Sequence, residues 1–233
     1  MDIAPAEKEA AARYAAGLVE EGMCVGLGTG STAVLFVRAL GERVRAGLRI
    51  VGVPTSIATE ALATTEGIPL TTLEDQPLLD MAFDGADAVD PDLNLVKGLG
   101  GALFREKIVA SAAKRFVVVV DESKLVQTLA EAPLIPVEVA PFGWKRAVAA
   151  IERLGAVATR RMTPDTPSQP FITDGGHYIL DCHFIDFAQP AQVAAQLKAL
   201  TGVIDHGLFI GMASEVIVGK ADGSAQVVRS RKA

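Results

Sequence analysis

Apolar and polar positions along the first half of the chain fall into blocks that read helix, strand, helix, strand. Residues 5–21 carry Ala11, Ala12, Ala15 and Leu18 at helical spacing on one face. Residues 23–27 (MCVGL) predict a short buried strand, and 31–46 (STAVLFVRALGERVRA) an amphipathic helix. The alternation continues with a strand over 49–53 and a helix over 56–66, for which Ser56 is the expected N-cap. A strand over 79–83, a helix over 102–114 and a strand over 116–120 (FVVVV) follow. Continuous β-branched runs separated by helices predict an α/β fold, with a mostly parallel sheet covered on both faces.

The pattern changes after about residue 130. Residues 131–141 (EAPLIPVEVAP) place three prolines around a short strand, 143–154 read as a helix, and 163–170 are a Pro/Thr/Ser stretch. Residues 171–173 and 177–187 then predict a hairpin closed by Asp174-Gly175-Gly176, and 190–200 a further helix. This order suggests a smaller α+β domain over 131–204, inserted into a sheet domain made of 1–130 plus 205–233. The apolar segment 207–219 is expected to return to the first sheet.

Composition narrows the function classes. Half of the 233 residues are hydrophobic and 21% are charged, which suits a packed core and excludes disorder over most of the chain. The net charge of -6 argues against a generally basic surface for nucleic acid or anionic membrane. Two cysteines far apart, Cys24 and Cys182, do not form a disulfide framework. The N-terminus lacks a basic segment followed by an apolar one, and no apolar run approaches the ~20 residues that span a bilayer. The expectation is a soluble, cytoplasmic protein.

Four segments carry chemistry. In GLGTGSTA at 26–33, glycines let backbone N–H groups approach an anion, and the following helix N-terminus adds partial positive charge. Ser31 and Thr32 add hydroxyls, although Ser31 could equally serve only as an N-cap. The spacing is not that of a dinucleotide site, and no acidic residue ends the strand at 49–53. Asp84-Gly85-Ala86-Asp87 places two carboxylates where open α/β sheets bind ligands, and the DPDLNL that follows reads as a solvated turn. Lys97-Gly98-Leu99-Gly100-Gly101 precedes a helix whose first turns hold Glu106. Three glycines in four residues are costly unless the backbone bends sharply or touches something. Finally, Asp121-Glu122-Ser123-Lys124 sets a lysine at a strand end, where it can reach a phosphate as a point charge. His177, His183 and His206 lack metal-ligand spacing.

Together these segments resemble type A ribose-5-phosphate isomerases. The resemblance is strongest in GLGTGSTA, in DGADAVDPDLNLVKGLGGALFREKIVA at 84–110 and in DESK at 121–124, and it extends to PVEV, ITDGGHYILD and GLFIG. Ala88 and Leu99 depart from the family's pattern at positions outside its catalytic set. The resemblance implies a Rossmann-like sheet domain and cofactor-free interconversion of D-ribose 5-phosphate and D-ribulose 5-phosphate. It implies Glu106 as the general base, Asp84 and Asp87 for hydroxyl protons and ring opening, and Lys97 as the catalytic lysine. It also implies a substrate-binding set of Lys8, Gly28, Thr29, Gly30, Ser31, Thr32, Gly98, Gly100, Gly101 and Lys124, with no metal. A homodimer or homotetramer is the implied assembly. Two other readings share the glycine-loop sheet: a sugar-phosphate sensor domain, and a related deaminase-isomerase or acyl-CoA transferase. The first lacks a helix-turn-helix segment here, and the deaminase-isomerase lacks a well-placed histidine.

Overall fold

The structure, a computed structural model, describes residues 6–185, 187 and 189–229. The first half contains α1 (Ala6–Gly17), β1 (Cys24–Leu27), α2 (Ser31–Arg45), β2 (Val51–Pro54) and α3 (Ile57–Thr65). Then come β3 (Leu79–Asp84), β4 (Ala88–Val89), β5 (Leu95–Val96), α4 (Leu103–Ala112) and β6 (Ala113–Asp121). The second half contains β7 (Ile135–Val139), α5 (Trp144–Glu152), β8 (Ala156–Arg160), β9 (Met162–Thr163), β10 (Thr166–Pro170) and β11 (Tyr178–Phe184). It ends with α6 (Pro190–Lys198), β12 (Val203–His206), β13 (Leu208–Phe209), β14 (Glu215–Gly219) and β15 (Ala225–Arg229). The predicted first helix starts at residue 5, outside the described residues.

Six strands form the central sheet in the order β15-β14-β6-β3-β1-β2. All pairings are parallel except β14 with β15, which places one antiparallel strand at the edge. Successive residues of β6 serve opposite faces, as the two-residue period of a strand requires. Val117 and Val119 pack with Ala11, Ala15, Phe36 and Leu40 of α1 and α2. Phe116, Val118 and Val120 pack on the other side with Val109 of α4 and Phe209. Few aromatics are needed because small and branched side chains fill both layers. Phe36 and Phe83 are an exception, stacked at 4.5 Å between centroids.

A second, four-stranded sheet runs β12-β7-β11-β8, entirely antiparallel. Val137, Val139, Leu180 and Cys182 of this sheet pack against Ala147 and Ile151 of α5 and Leu197 of α6. Its opposite face carries the carboxylates of Asp205, Glu138 and Asp181 on three adjacent strands.

Three expectations are corrected. The hairpin across Asp174-Gly175-Gly176 does not form as two paired strands: only an isolated bridge joins Ile172 to Tyr178, while β11 pairs with β7 and β8. The turn's own bonds remain, with the Thr173 N–H donating to the His177 carbonyl, and tertiary contacts also hold residues 171–174: the Phe171 ring fills the space beside Gly101 and Asp174 accepts from the Ile57 N–H at 2.8 Å. The turn at 90–94 is not fully solvated, because Leu93 is buried between β4 and β5 at a φ of 60°. The Pro/Thr/Ser stretch contains a small hairpin, β9 with β10. Ser56 caps α3 as expected, accepting from the Thr59 N–H. Segment 207–219 does return to the first sheet through β14, parallel to β6.

Candidate active site

The sheet reverses its strand order between β1 and β3: the chain moves outward from β1 to β2, then crosses back to β3 on the other side. A crevice opens where two neighbouring strands of such a sheet send their connections opposite ways. The loops after β1, β3 and β6 all end there, bringing 28–32, 84–87 and 121–124 together. A pocket of about 110 Å3 lies among them, lined by Lys8, Thr29–Thr32, Gly85–Asp87, Lys97, Gly98, Gly100, Glu106 and Lys124.

Lys97 is the centre of this site. It follows β5 directly, and its N–H donates to the Gly207 carbonyl at 2.8 Å. Its ammonium lies 3.1 Å from Asp84 Oδ2 and 3.2 Å from Glu106 Oε2, and donates to the Gly85 carbonyl at 2.7 Å. All three charged side chains are 3–4% exposed. Burial alone would lower the Lys97 pKa, but Asp84 and Glu106 outweigh it and hold the pKa above its ordinary value. Burial also pushes the Asp84 carboxyl up, against the pull of Lys97. Glu106 is pushed up to about 8 by burial and then by the Asp84 charge.

The two carboxylates are held very differently. Asp84 accepts from the Thr29 N–H at 3.1 Å and the Gly85 N–H at 2.8 Å, both on Oδ1. This close seat explains Gly28, where an added Cβ would come within 2.3 Å of Asp84 Oδ1. Glu106 stands in the first turn of α4, where the helix dipole favours an anion. Its buried Oε2 makes no hydrogen bond among the described residues, although Lys97 lies 3.2 Å away. Asp87 is half-buried and accepts from the Leu99 N–H at 3.0 Å.

At the other end of the pocket, α2 begins at Gly30 with no side-chain cap, so Ser31 is the first helical residue rather than the N-cap. Uncapped N–H groups at a helix start attract anions. Lys8 reaches this end and donates to Ser31 Oγ at 3.0 Å. Lys124 is brought there by a short 3-10 turn that Asp121 caps.

Three of the expected binding residues are engaged within the fold. Gly28 makes room for Asp84, and Gly101, at a φ of 86°, faces Phe171. Thr29 lines the pocket, but its hydroxyl is already engaged at 2.7, 2.8 and 3.0 Å with the hydroxyls of Thr55, Ser56 and Thr59. That ring of hydroxyls went unread because its members lie near residue 29 only in space. Among the described residues, no group of three or more His, Cys, Asp or Glu side chains is placed to hold a metal ion. No described helix is long and apolar enough to cross a membrane.

The sequence matches the family described as Ribose 5-phosphate isomerase A (phosphoriboisomerase A) over residues 51–223. It is 54% identical to ribose-5-phosphate isomerase A of Gloeobacter violaceus over 93% of each chain. It is 52% identical to that of Methylorubrum extorquens over 97% of each chain. The fold superposes on ribose 5-phosphate isomerase A from Methanocaldococcus jannaschii with a TM-score of 0.91 and 40% identity, covering 96% of this chain and 98% of the other. A D-ribose-5-phosphate isomerase in complex with phospho-erythronic acid superposes at 0.92 with 39% identity, covering 98% of this chain and all of the other.

The Glu106 environment predicts a pH-dependent effect on stability. A carboxyl whose pKa is raised on folding favours the fold while protonated; that contribution is complete below its ordinary 4.5 and is lost as pH rises through about 8. Glu106→Gln is neutral throughout. Its melting temperature should match wild type near pH 4.5 and exceed it at pH 9, by a few kcal/mol in stability. Equal melting curves at pH 9 would show that Glu106 is not strained by its site. Gly28→Ala should displace Asp84 and reduce kcat at least about 10-fold, since a misplaced group next to the reacting atoms is costly; unchanged kcat would contradict the close packing.

Proposed function

The chain belongs to the ribose 5-phosphate isomerase A family and interconverts D-ribose 5-phosphate and D-ribulose 5-phosphate; from that premise we propose that Glu106 is the base that carries the proton between the two reacting carbons. The observation that supports this most is the state of Glu106: a buried carboxylate with an unsatisfied oxygen, its pKa raised to about 8, beside a fixed cation. Such a group is poised for proton transfer near neutral pH.

In the proposed reaction the sugar lies with its phosphate at the start of α2 and its carbonyl end at Lys97. The uncapped N–H groups of α2, with Ser31, Thr32, Lys8 and Lys124, hold the phosphate. Binding there is remote from the chemistry and orients the reacting carbons. Ring opening comes first, with Asp87 exchanging the ring hydroxyl proton. Asp87 suits this better than Asp84, whose oxygens are tied to two N–H groups and to Lys97. Glu106 then takes the hydrogen from C2, a C1=C2 double bond forms, and the C1 oxygen gains the negative charge of a cis-enediolate. Lys97 and the amides of the glycine loop stabilise that charge in a water-poor site. Returning the proton from Glu106 to C1, and moving the O2 proton to O1 through the carboxylate pair, gives the ketose. Every atom is conserved, so no redox partner is required. The same reading places this chemistry in the unit of 1–130 and 205–233, with 131–204 as the smaller unit of a cytoplasmic homo-oligomer.

Ribose 5-phosphate incubated with the protein and a chelator should yield ketose. Glu106→Gln should keep sugar-phosphate binding and lose turnover by orders of magnitude; near-normal turnover would sink the assignment of the base. For wild type, kcat/KM should rise with pH up to about 8 as the free-enzyme base ionises, and a flat profile from pH 6 to 9 would count against it. Lys124→Ala should raise KM and leave kcat nearly unchanged; an unaltered KM would remove Lys124 from the phosphate end.

A further inference from the structure

The glycine loop that carries Lys97 is gripped from outside the pocket by one side chain. Arg161 follows β8, on the four-stranded sheet side of the molecule. Its Nη1 donates to two successive carbonyls of the loop, Gly98 at 3.0 Å and Leu99 at 2.9 Å. Its Nε and Nη2 bond to the carboxylate of Asp181 on β11, a fork-on-fork pair that fixes the guanidinium plane. The ring of Phe171 lies 5.9 Å from the guanidinium carbon, and the same ring packs beside Gly101.

Peptide geometry turns this grip into a statement about the pocket. No cis peptide occurs among the described residues, and a trans peptide points its N–H opposite to its C=O. A loop whose Gly98 and Leu99 carbonyls both turn to Arg161 therefore aims the N–H groups of Leu99 and Gly100 away from Arg161. The first is seen on Asp87, at 3.0 Å. The second makes no hydrogen bond among the described residues, and Gly100 is on the pocket wall. We propose that Arg161, held by Asp181, is a positioning residue that orients the 98–100 peptides, so that one N–H holds Asp87 and the next faces the developing enediolate. Arg161 touches no reacting atom; it acts through two carbonyls. Lysine keeps the charge but lacks the planar fork needed to hold Asp181 and both carbonyls together.

This inference rests on the reading of Lys97 and Glu106 given above, and it is tested on the full chain with Arg161→Lys and Asp181→Asn. The readouts are kcat, KM for ribose 5-phosphate, inhibition by inorganic phosphate, and inhibition by phospho-erythronic acid, whose carboxylate sets an anion at the reacting end. In Arg161→Lys, kcat should fall about 100-fold, the scale of losing an oriented oxyanion donor. KM and phosphate inhibition should stay within about 3-fold, because the phosphate end is untouched. Inhibition by phospho-erythronic acid should weaken at least about 10-fold. Asp181→Asn should move the same quantities in the same direction by less. The inference is overturned if both variants keep wild-type kcat, if phosphate inhibition weakens as much as that by the acid, or if neither variant folds. Should Glu106→Gln be inactive while both variants turn over normally, this inference alone fails. Normal turnover by Glu106→Gln removes the underlying reading instead.

Discussion

One buried ammonium facing two buried carboxylates is the constraint on which the site depends. Burying a charge is costly unless it is paired and hydrogen-bonded. Lys97 lies equally close to Asp84 and Glu106, and only Asp84 is also hydrogen-bonded by backbone N–H groups. Asp84 takes the well-made contacts, with two N–H groups and the cation, and thereby keeps the ammonium in place. Glu106 has only the nearby cation, and burial together with the Asp84 charge raises its proton affinity against the pull of Lys97. A basic carboxylate is thus produced by burial beside a second acid, with one cation close to both. The surrounding sequence serves that arrangement: Gly28 admits Asp84, the Gly85 carbonyl takes one ammonium hydrogen, and Gly207 holds the Lys97 backbone.

The four-stranded sheet contributes to the same end from behind. Three of its strands carry carboxylates on the face opposite α5 and α6, and each is spoken for. Asp205 takes Lys107 and Lys198, Glu138 takes Thr173 and His177, and Asp181 takes Arg161. Two of these contacts bear directly on elements that line the pocket: Lys107 belongs to α4, and Arg161 holds the glycine loop. The net charge of -6 is compatible with an anionic substrate for a related reason. On the proposed reading the attraction comes from local N–H groups and lysines, while several acids elsewhere are paired within the fold.

Much of the site was legible in the chain because its motifs are local. Gly28–Thr32, Asp84 to Asp87, and Lys97 with Glu106 each lie within a few residues of a strand end or a helix start, where backbone geometry and chemistry coincide. What could not be read was set by contacts distant in sequence. Thr55, Ser56 and Thr59 surround Thr29 only after β1 and β2 pair. Arg161 sits 62 residues from Leu99, between the predicted helix at 143–154 and the Pro/Thr/Ser stretch at 163–170. The strands β8 to β10, β12 and β15 are short, β10 bears two prolines, and they gain their strand character from partners as much as from their own pattern. The failed hairpin shows the converse. Its turn residues are right, since Gly176 N–H does bond back to Thr173, but Phe171 packs beside Gly101 and Asp174 holds the Ile57 N–H.

Glu106 and Lys107 are neighbours on α4, and consecutive helical residues project about 100° apart. Glu106 enters the pocket, while Lys107 turns to Asp205 and the His206 carbonyl and lies 4.8 Å from the centre of the Phe209 ring. The helix is therefore locked against rotation about its own axis: any twist that swung the carboxylate would have to tear Lys107 from its anchors. On the proposed mechanism this stiffness has a mechanical meaning. The carboxylate stands still like a pivot, and the two carbons must lie to either side of it, so the proton travels and the base does not.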